Sequence, residues 1–156
     1  MDVTVQIEVE VLLSRYVHCI DDNRLEEWPD FFTEDCRYEI TSAENHERNL
    51  PIGILVATSR GMLKDRISAL REANIYEPQR YRHSVSSVWI TGERGGVITA
   101  QANFQVIRIM HTGAMDLFCT GKYLDRIVGT GPARKYAEKR VILDNKRIDT
   151  LLAIPV

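Results

Sequence analysis

The stretch VITAQANFQVIRIMH, residues 97–111, decides the fold class. Ile98, Ala100, Ala102, Phe104, Val106 and Met110 fall on one face of an extended chain, and Thr99, Gln101, Asn103 and Gln105 fall on the other. That alternation is the pattern of a half-buried strand. The run far exceeds the usual strand of roughly five or six residues, so it must bend to keep covering a core. Its polar face carries hydrogen-bonding groups and few charges. Such a face suits burial against another chain, and a solvated sheet has the same pattern.

Further strands lie on either side of it. Residues 81–91 lead into a turn at Gly92-Glu93-Arg94-Gly95-Gly96, and His111-Thr112-Gly113 turns the chain again. Residues 115–128 alternate, with Met115, Leu117, Cys119, Tyr123 and Ile127 on one face and Gly121 as a kink site. Gly129-Thr130-Gly131-Pro132 makes another turn, and residues 134–144 form a further strand. Asp144-Asn145-Lys146 turns into the last segment, Ile148–Val156. The apolar end, Leu151–Val156, reads as an edge strand or as a contact with another chain.

The first half is helical. Val5, Val9, Leu12, Leu13, Tyr16, Val17 and Ile20 recur at steps of three and four, the apolar stripe of an amphipathic helix over 4–20. Val3, Val5, Ile7, Val9 and Val11 also alternate, so a strand competes at the very start. Asp21, Asp22 and Asn23 are placed to cap a second helix carrying Leu25, Trp28, Phe31 and Phe32, which Pro29 divides. Residues 36–41 alternate as a strand, and 42–53 are polar and read as a loop. A third helix follows Gly61, with Met62, Leu63, Ile67 and Leu70 on one side, and Asn74 and Pro78 end it. Helices first and a meander of strands after predict an α+β domain spanning residues 1–156, its antiparallel sheet carrying the helices on one face.

Composition narrows the function. The chain has 156 residues, a net charge of −2, and 44 residues that are Leu, Ile, Val or Phe, which excludes disorder and a strongly basic nucleic-acid binder. Cys19, Cys36 and Cys119 are odd in number and widely spaced, so they are not a disulfide framework. The acidic N-terminus and the lack of a long apolar run predict a cytoplasmic protein with no membrane partner. His18, His46, His83 and His111 have no zinc spacing, and the Cys-x-His and Cys-x-x-His pairs of a Rieske cluster do not occur. Gly129-Thr130-Gly131 lacks the third glycine of a dinucleotide loop and lies between strands. Tyr76–His83 mixes Tyr and Arg, the composition of a protein–protein edge. For acid–base chemistry the best cluster is Tyr16, Asp21, Asp22, Asp35, Tyr38 and His83. Its plainer reading is helix-capping aspartates and a satisfied sheet histidine.

The segments Trp28-Pro-Asp-Phe-Phe-Thr33, Asp65-Arg-Ile-Ser-Ala-Leu-Arg71, Tyr81-Arg-His83, Val106-Ile-Arg-Ile109 and Asp149-Thr-Leu-Leu-Ala-Ile-Pro-Val156 run in order through nearly the whole chain. Together they resemble the small (β) subunit of Rieske non-haem iron aromatic-ring-hydroxylating dioxygenases. The resemblance implies the cone-like, strongly curved sheet of the nuclear transport factor and scytalone dehydratase superfamily. It implies no catalytic, cofactor-binding or metal-binding residue on this chain. Its partners would be a large (α) subunit carrying a [2Fe–2S] Rieske cluster and mononuclear Fe(II), and further copies of this chain, trimerised within an α3β3 complex. An NADH-dependent reductase would supply electrons for cis-dihydroxylation of an aromatic carboxylate, terephthalate-like, by O2. The competing expectation is a small enzyme of the same fold, a dehydratase, isomerase or hydrolase, using a His83/Asp35 pair in the cone.

Overall fold

The computed structural model describes residues 2–50, 54–73, 78–145 and 154–156. Helix α1 (Val3–Asp21) begins where the Asp2 carboxylate accepts from the Thr4 N–H at 2.9 Å. Its buried stripe runs from Val9 through Leu12, Leu13, Tyr16 and Val17 to Ile20, so the helical period prevails over the alternating one at the start. Val3, Ile7 and Val11 lie on the opposite, exposed side.

Asp22 caps the C-terminus of α1, and Asn23 takes the left-handed conformation (φ 61°) that stops a helix. The aspartates therefore end the first helix and do not start a second. The expected helix at 25–32 is a single 3-10 turn, Trp28–Phe31, because Pro29 has no N–H to continue it. Strand β1 (Phe32–Ser42) starts at once and is longer than the alternation at 36–41 suggests. The region read as a loop holds the short helix α2 (Ala43–Glu47), capped by Ser42, and strand β2 (Leu55–Ala57) follows it. In α3 (Arg60–Ala73) Leu63, Ile67 and Leu70 are buried, but Met62 faces outward. Asn74 lies outside the described residues.

The remaining strands are β3 (Gln79–Arg94), β4 (Val97–Met110), β5 (Met115–Val128) and β6 (Lys135–Leu143). They form an open, curved six-stranded sheet in the order β2-β1-β6-β5-β4-β3. Every neighbouring pair is antiparallel except β1 with β6, which run parallel. Between Val106/Cys119 and Ile107/Leu117 the register slips, so Phe118 is an extra residue. Phe118 and Cys119 are both buried, and Leu117 and Met115 turn outward, the reverse of the expected face. A second slip at Ala137 re-aims β6. The concave side is filled by Tyr16, Trp28, Phe32, Tyr38, Tyr123 and Tyr136, all fully buried and meeting largely edge to face.

Gly121 permits the tightest approach in the sheet, since a Cβ there would run into the Ile142 carbonyl of β6. Gly121→Ala should cost about 1–3 kcal/mol by overpacking. Gly61→Ala on α3, whose added Cβ would meet only the Ser59 Oγ in ordinary contact at 3.7 Å, should gain up to about 1 kcal/mol from helix propensity. Urea midpoints of the two variants check the contrast.

Candidate functional site

The last turn of α1 brings Asp21 against the inward face of β3. His83 Nδ1 donates to Asp21 Oδ1 at 2.6 Å, and the His83 backbone N–H donates to Oδ2 at 2.8 Å. The two side chains are 0% and 3% exposed. Both carboxylate oxygens are thus spent on one residue, and they fix the ring in the Nδ1–H form. Nε2 is buried with no hydrogen-bond partner among the described residues. Asp22 is exposed at the helix cap, and Asp35 is exposed on β1. The His83/Asp35 pair is therefore not formed; Asp21 takes that place. Tyr16 and Tyr38 are drawn into the core, where both hydroxyls donate to the main-chain oxygen of Val156, at 3.0 and 2.8 Å. In the Tyr–Arg stretch, of which Tyr76 and Glu77 lie outside the described residues, Tyr81 and His83 face the core and Arg80 and Arg82 are exposed.

A second charged pair escapes the sequence reading. Asp125 on β5 and Lys139 on β6 are direct cross-strand partners, both side chains essentially unexposed. Lys139 Nζ lies 3.2 Å from both Asp125 oxygens. It also sits over the rings of Tyr123, Tyr136 and Tyr16, at 3.7, 4.3 and 4.5 Å. Burial pushes the Asp125 carboxyl up to about 6 and the Lys139 ammonium down to about 8, each against the attraction of the other. The signal was present, since Asp125 falls between Tyr123 and Ile127 on the inward period.

The described residues do not suit an iron centre. No three of their His, Cys, Asp and Glu side chains are grouped to hold a metal. The cysteines are buried singly, and desolvation pushes the Cys19 thiol up to about 11 and Cys119 up to about 12, away from the thiolate that metals need.

The chain's likeness to known proteins gives this arrangement its context. The profile of the ring hydroxylating beta subunit family matches residues 15–150. This chain belongs to that family. It is 43% identical over 155 residues to the anthranilate 1,2-dioxygenase small subunit of Burkholderia cepacia, covering 99% of this chain and 96% of that one. It is 41% identical over 151 residues to a terephthalate 1,2-dioxygenase terminal oxygenase β subunit of Comamonas sp., covering 97% and 98%. Among solved structures, the β subunit assigned to an aromatic-ring-hydroxylating dioxygenase of Novosphingobium aromaticivorans superposes with a TM-score of 0.89 at 36% identity, covering 97% of each chain. The benzoate 1,2-dioxygenase β subunit of Burkholderia mallei shares the fold, at a TM-score of 0.75 and 21% identity over 94% of this chain and 95% of that one. The expected α+β fold, with its curved sheet, is the one observed.

What this β subunit presents outward is surface. Val3, Ile7 and Val11 line one side of α1, beside a groove of about 650 Å³ that also meets Phe31 and Pro132. Met115 and Leu117 extend from the β4–β5 hairpin, and Trp89 is exposed on β3. Thr99 and Gln101 are half-buried, and Asn103 and Gln105 are exposed. No helix among the described residues is long and apolar enough to cross a membrane.

The Asp125–Lys139 pair sets a pH signature. The folded-state pKa of Asp125 lies above its ordinary value, so its stabilising contribution is present in acid and lost as the pH rises through about 6. That of Lys139 is depressed, so its contribution is present in strong alkali and lost as the pH falls through about 8. Lys139→Met strands the carboxylate in the core and should cost about 3–5 kcal/mol at neutral pH. That loss should shrink as acid neutralises Asp125, and Asp125→Leu/Lys139→Met should recover most of it. Denaturant titrations at neutral and acid pH check all three.

Proposed function

We infer that this chain is the structural β subunit of a multicomponent terminal oxygenase, a single domain that binds a large α subunit and further copies of itself in an α3β3 hexamer. The observation that carries this reading is likeness over nearly the full length to two small subunits of dioxygenases acting on ring carboxylates, anthranilate and terephthalate. An aromatic carboxylate is accordingly the substrate class, with a terephthalate-like acid the narrower choice. In this reading the [2Fe–2S] Rieske cluster and the mononuclear Fe(II) belong to the α subunit. An NADH-dependent reductase delivers two electrons, and both atoms of O2 enter the ring as a cis-dihydrodiol. This chain supplies no catalytic, cofactor-binding or metal-binding residue and works in the cytoplasm without nucleic acid.

The physical support lies in where the apolar area is. The concave face is filled by the chain's own aromatic rings, while Val3, Ile7, Val11, Trp89, Met115 and Leu117 remain exposed. A permanent subunit interface of roughly 2,000 Å² or more draws on such side chains. A closed three-fold ring joins unlike patches, so separate apolar rows on one protomer suit it.

Co-expression of the tagged chain with its α subunit, followed by size exclusion, mass determination and iron analysis, tests the reading. A brown complex of about 200 kDa is expected from three small and three large chains in closed three-fold symmetry. A colourless assembly of this chain alone, indifferent to the α subunit, would refute it.

A further inference from the structure

Two unlike surface features stand at opposite ends of β5. The first is the hairpin end of the outer sheet face. There the register sets Arg80 beside Ile109 and Ile109 beside Met115, and the next row runs Arg82, Ile107, Leu117. The bulge at Phe118 turns Met115 and Leu117 out of the core and into these rows, where they are 70% and 55% exposed. Arg80 and Arg82 are exposed beside them and enter no ion pair among the described residues. The second feature is the groove of about 650 Å³ along α1, floored by Ile7, Val11, Phe31 and Pro132. Its Arg24 and Arg134 are ion-paired with Glu27 and Glu8, and Lys135 donates to the Asp30 main-chain oxygen, which leaves Arg15 facing Glu10 and Asp30. Residues 22–35, which border the groove, carry exposed Asp22, Glu26, Glu27, Asp30, Glu34 and Asp35 against Arg24 alone.

We propose that the β4–β5 hairpin end of one copy of this chain docks into the α1 groove of a second copy, with Met115 and Leu117 seated on its apolar floor. The proposal rests on the self-association inferred above and assigns the two surfaces that make it. Charge selects the pairing. The knob is apolar with two unpaired arginines, and the groove is apolar with a carboxylate-rich border, so the two attract, whereas like patches of two copies repel. Position selects the mode. Met115 opens β5, and the Gly131–Ala133 turn that walls the groove follows its far end at Val128. A strand of 14 residues separates the patches by roughly 40 Å. Unlike patches that far apart join copies head to tail, and such a contact closes into a three-fold ring when each step turns by a third. The bulge at Phe118 then has a purpose outside the fold, since it supplies the knob.

The test uses the full chain, expressed alone, and sedimentation to read its mass. The parent should run as a trimer of 17.9 kDa chains. Leu117→Lys spoils the knob and Val11→Lys spoils the groove; both side chains are exposed, so the fold and its thermal midpoint should hold. Each variant should raise the dissociation constant about thirtyfold or more and run as a monomer where the parent is assembled. Mixed, they should form a one-to-one heterodimer, because the Val11→Lys chain keeps its knob and the Leu117→Lys chain keeps its groove. A parent that is not a trimer, a variant that assembles like the parent, or a mixture that stays monomeric would each overturn the proposal. Capture of the α subunit is read separately and should survive both substitutions. Loss of that capture with self-association intact would assign these surfaces to the α subunit and overturn the proposal while sparing the β-subunit reading. A parent that trimerises but never captures an α subunit would refute that reading and leave the contact between copies standing.

Discussion

The concave face of the sheet has to be filled, and three tyrosine rings gathered around the Lys139 ammonium fill much of it. A lysine without exposed surface costs desolvation that a single carboxylate rarely offsets, so the enclosing rings matter as much as Asp125. Tyr16 comes from α1, Tyr123 from β5 and Tyr136 from β6. The pair therefore ties the helix to the two central strands. Displacing any one ring uncovers a charge in the interior, which makes the arrangement intolerant of half-formed alternatives. The bulge at Ala137 belongs to the same constraint, because it restores Lys139 to the inward face after Tyr136.

Strand β4 could be read almost entirely from the sequence, because a strand with one buried face writes its register into every second residue. Helix α1 was equally plain. The reading lost its footing where one residue was added. At Phe118 the bulge reversed the exposure of Met115 and Leu117, and period-two reasoning has no means of seeing an inserted residue. At Pro29 a helical pattern of Leu25, Trp28 and Phe32 reflected a common core and not a common helix. His83 and Asp21 were in the right cluster, but choosing Asp21 over Asp35 required knowing that α1 ends against β3, a contact between residues far apart in sequence. Asp125 and Lys139 lie on inward positions, but charged residues are rarely buried, so periodicity alone does not single them out.

The division of labour in this family follows from the same geometry. A cone filled with aromatic side chains leaves its owner little interior to offer, and what remains is outer surface. The exposed apolar residues of α1 and of the β4–β5 hairpin lie on different elements, and the proposed assembly uses them as two different contacts. Chemistry can then reside on a partner while this chain sets distances between partners. That arrangement explains why the Asp21–His83 pair can persist as a closed structural unit. It pins the end of α1 to β3 and consumes both oxygens of the carboxylate in doing so.

The central claim is that this subunit contributes surfaces and no reacting group. The most direct measurement is turnover per iron of the assembled oxygenase carrying His83→Gln in the small subunit. The account predicts a rate close to that of the parent, with assembly intact. Loss of a general base costs about 10²–10⁴ in rate. A fall of that size in a fully assembled, fully iron-loaded complex would contradict it.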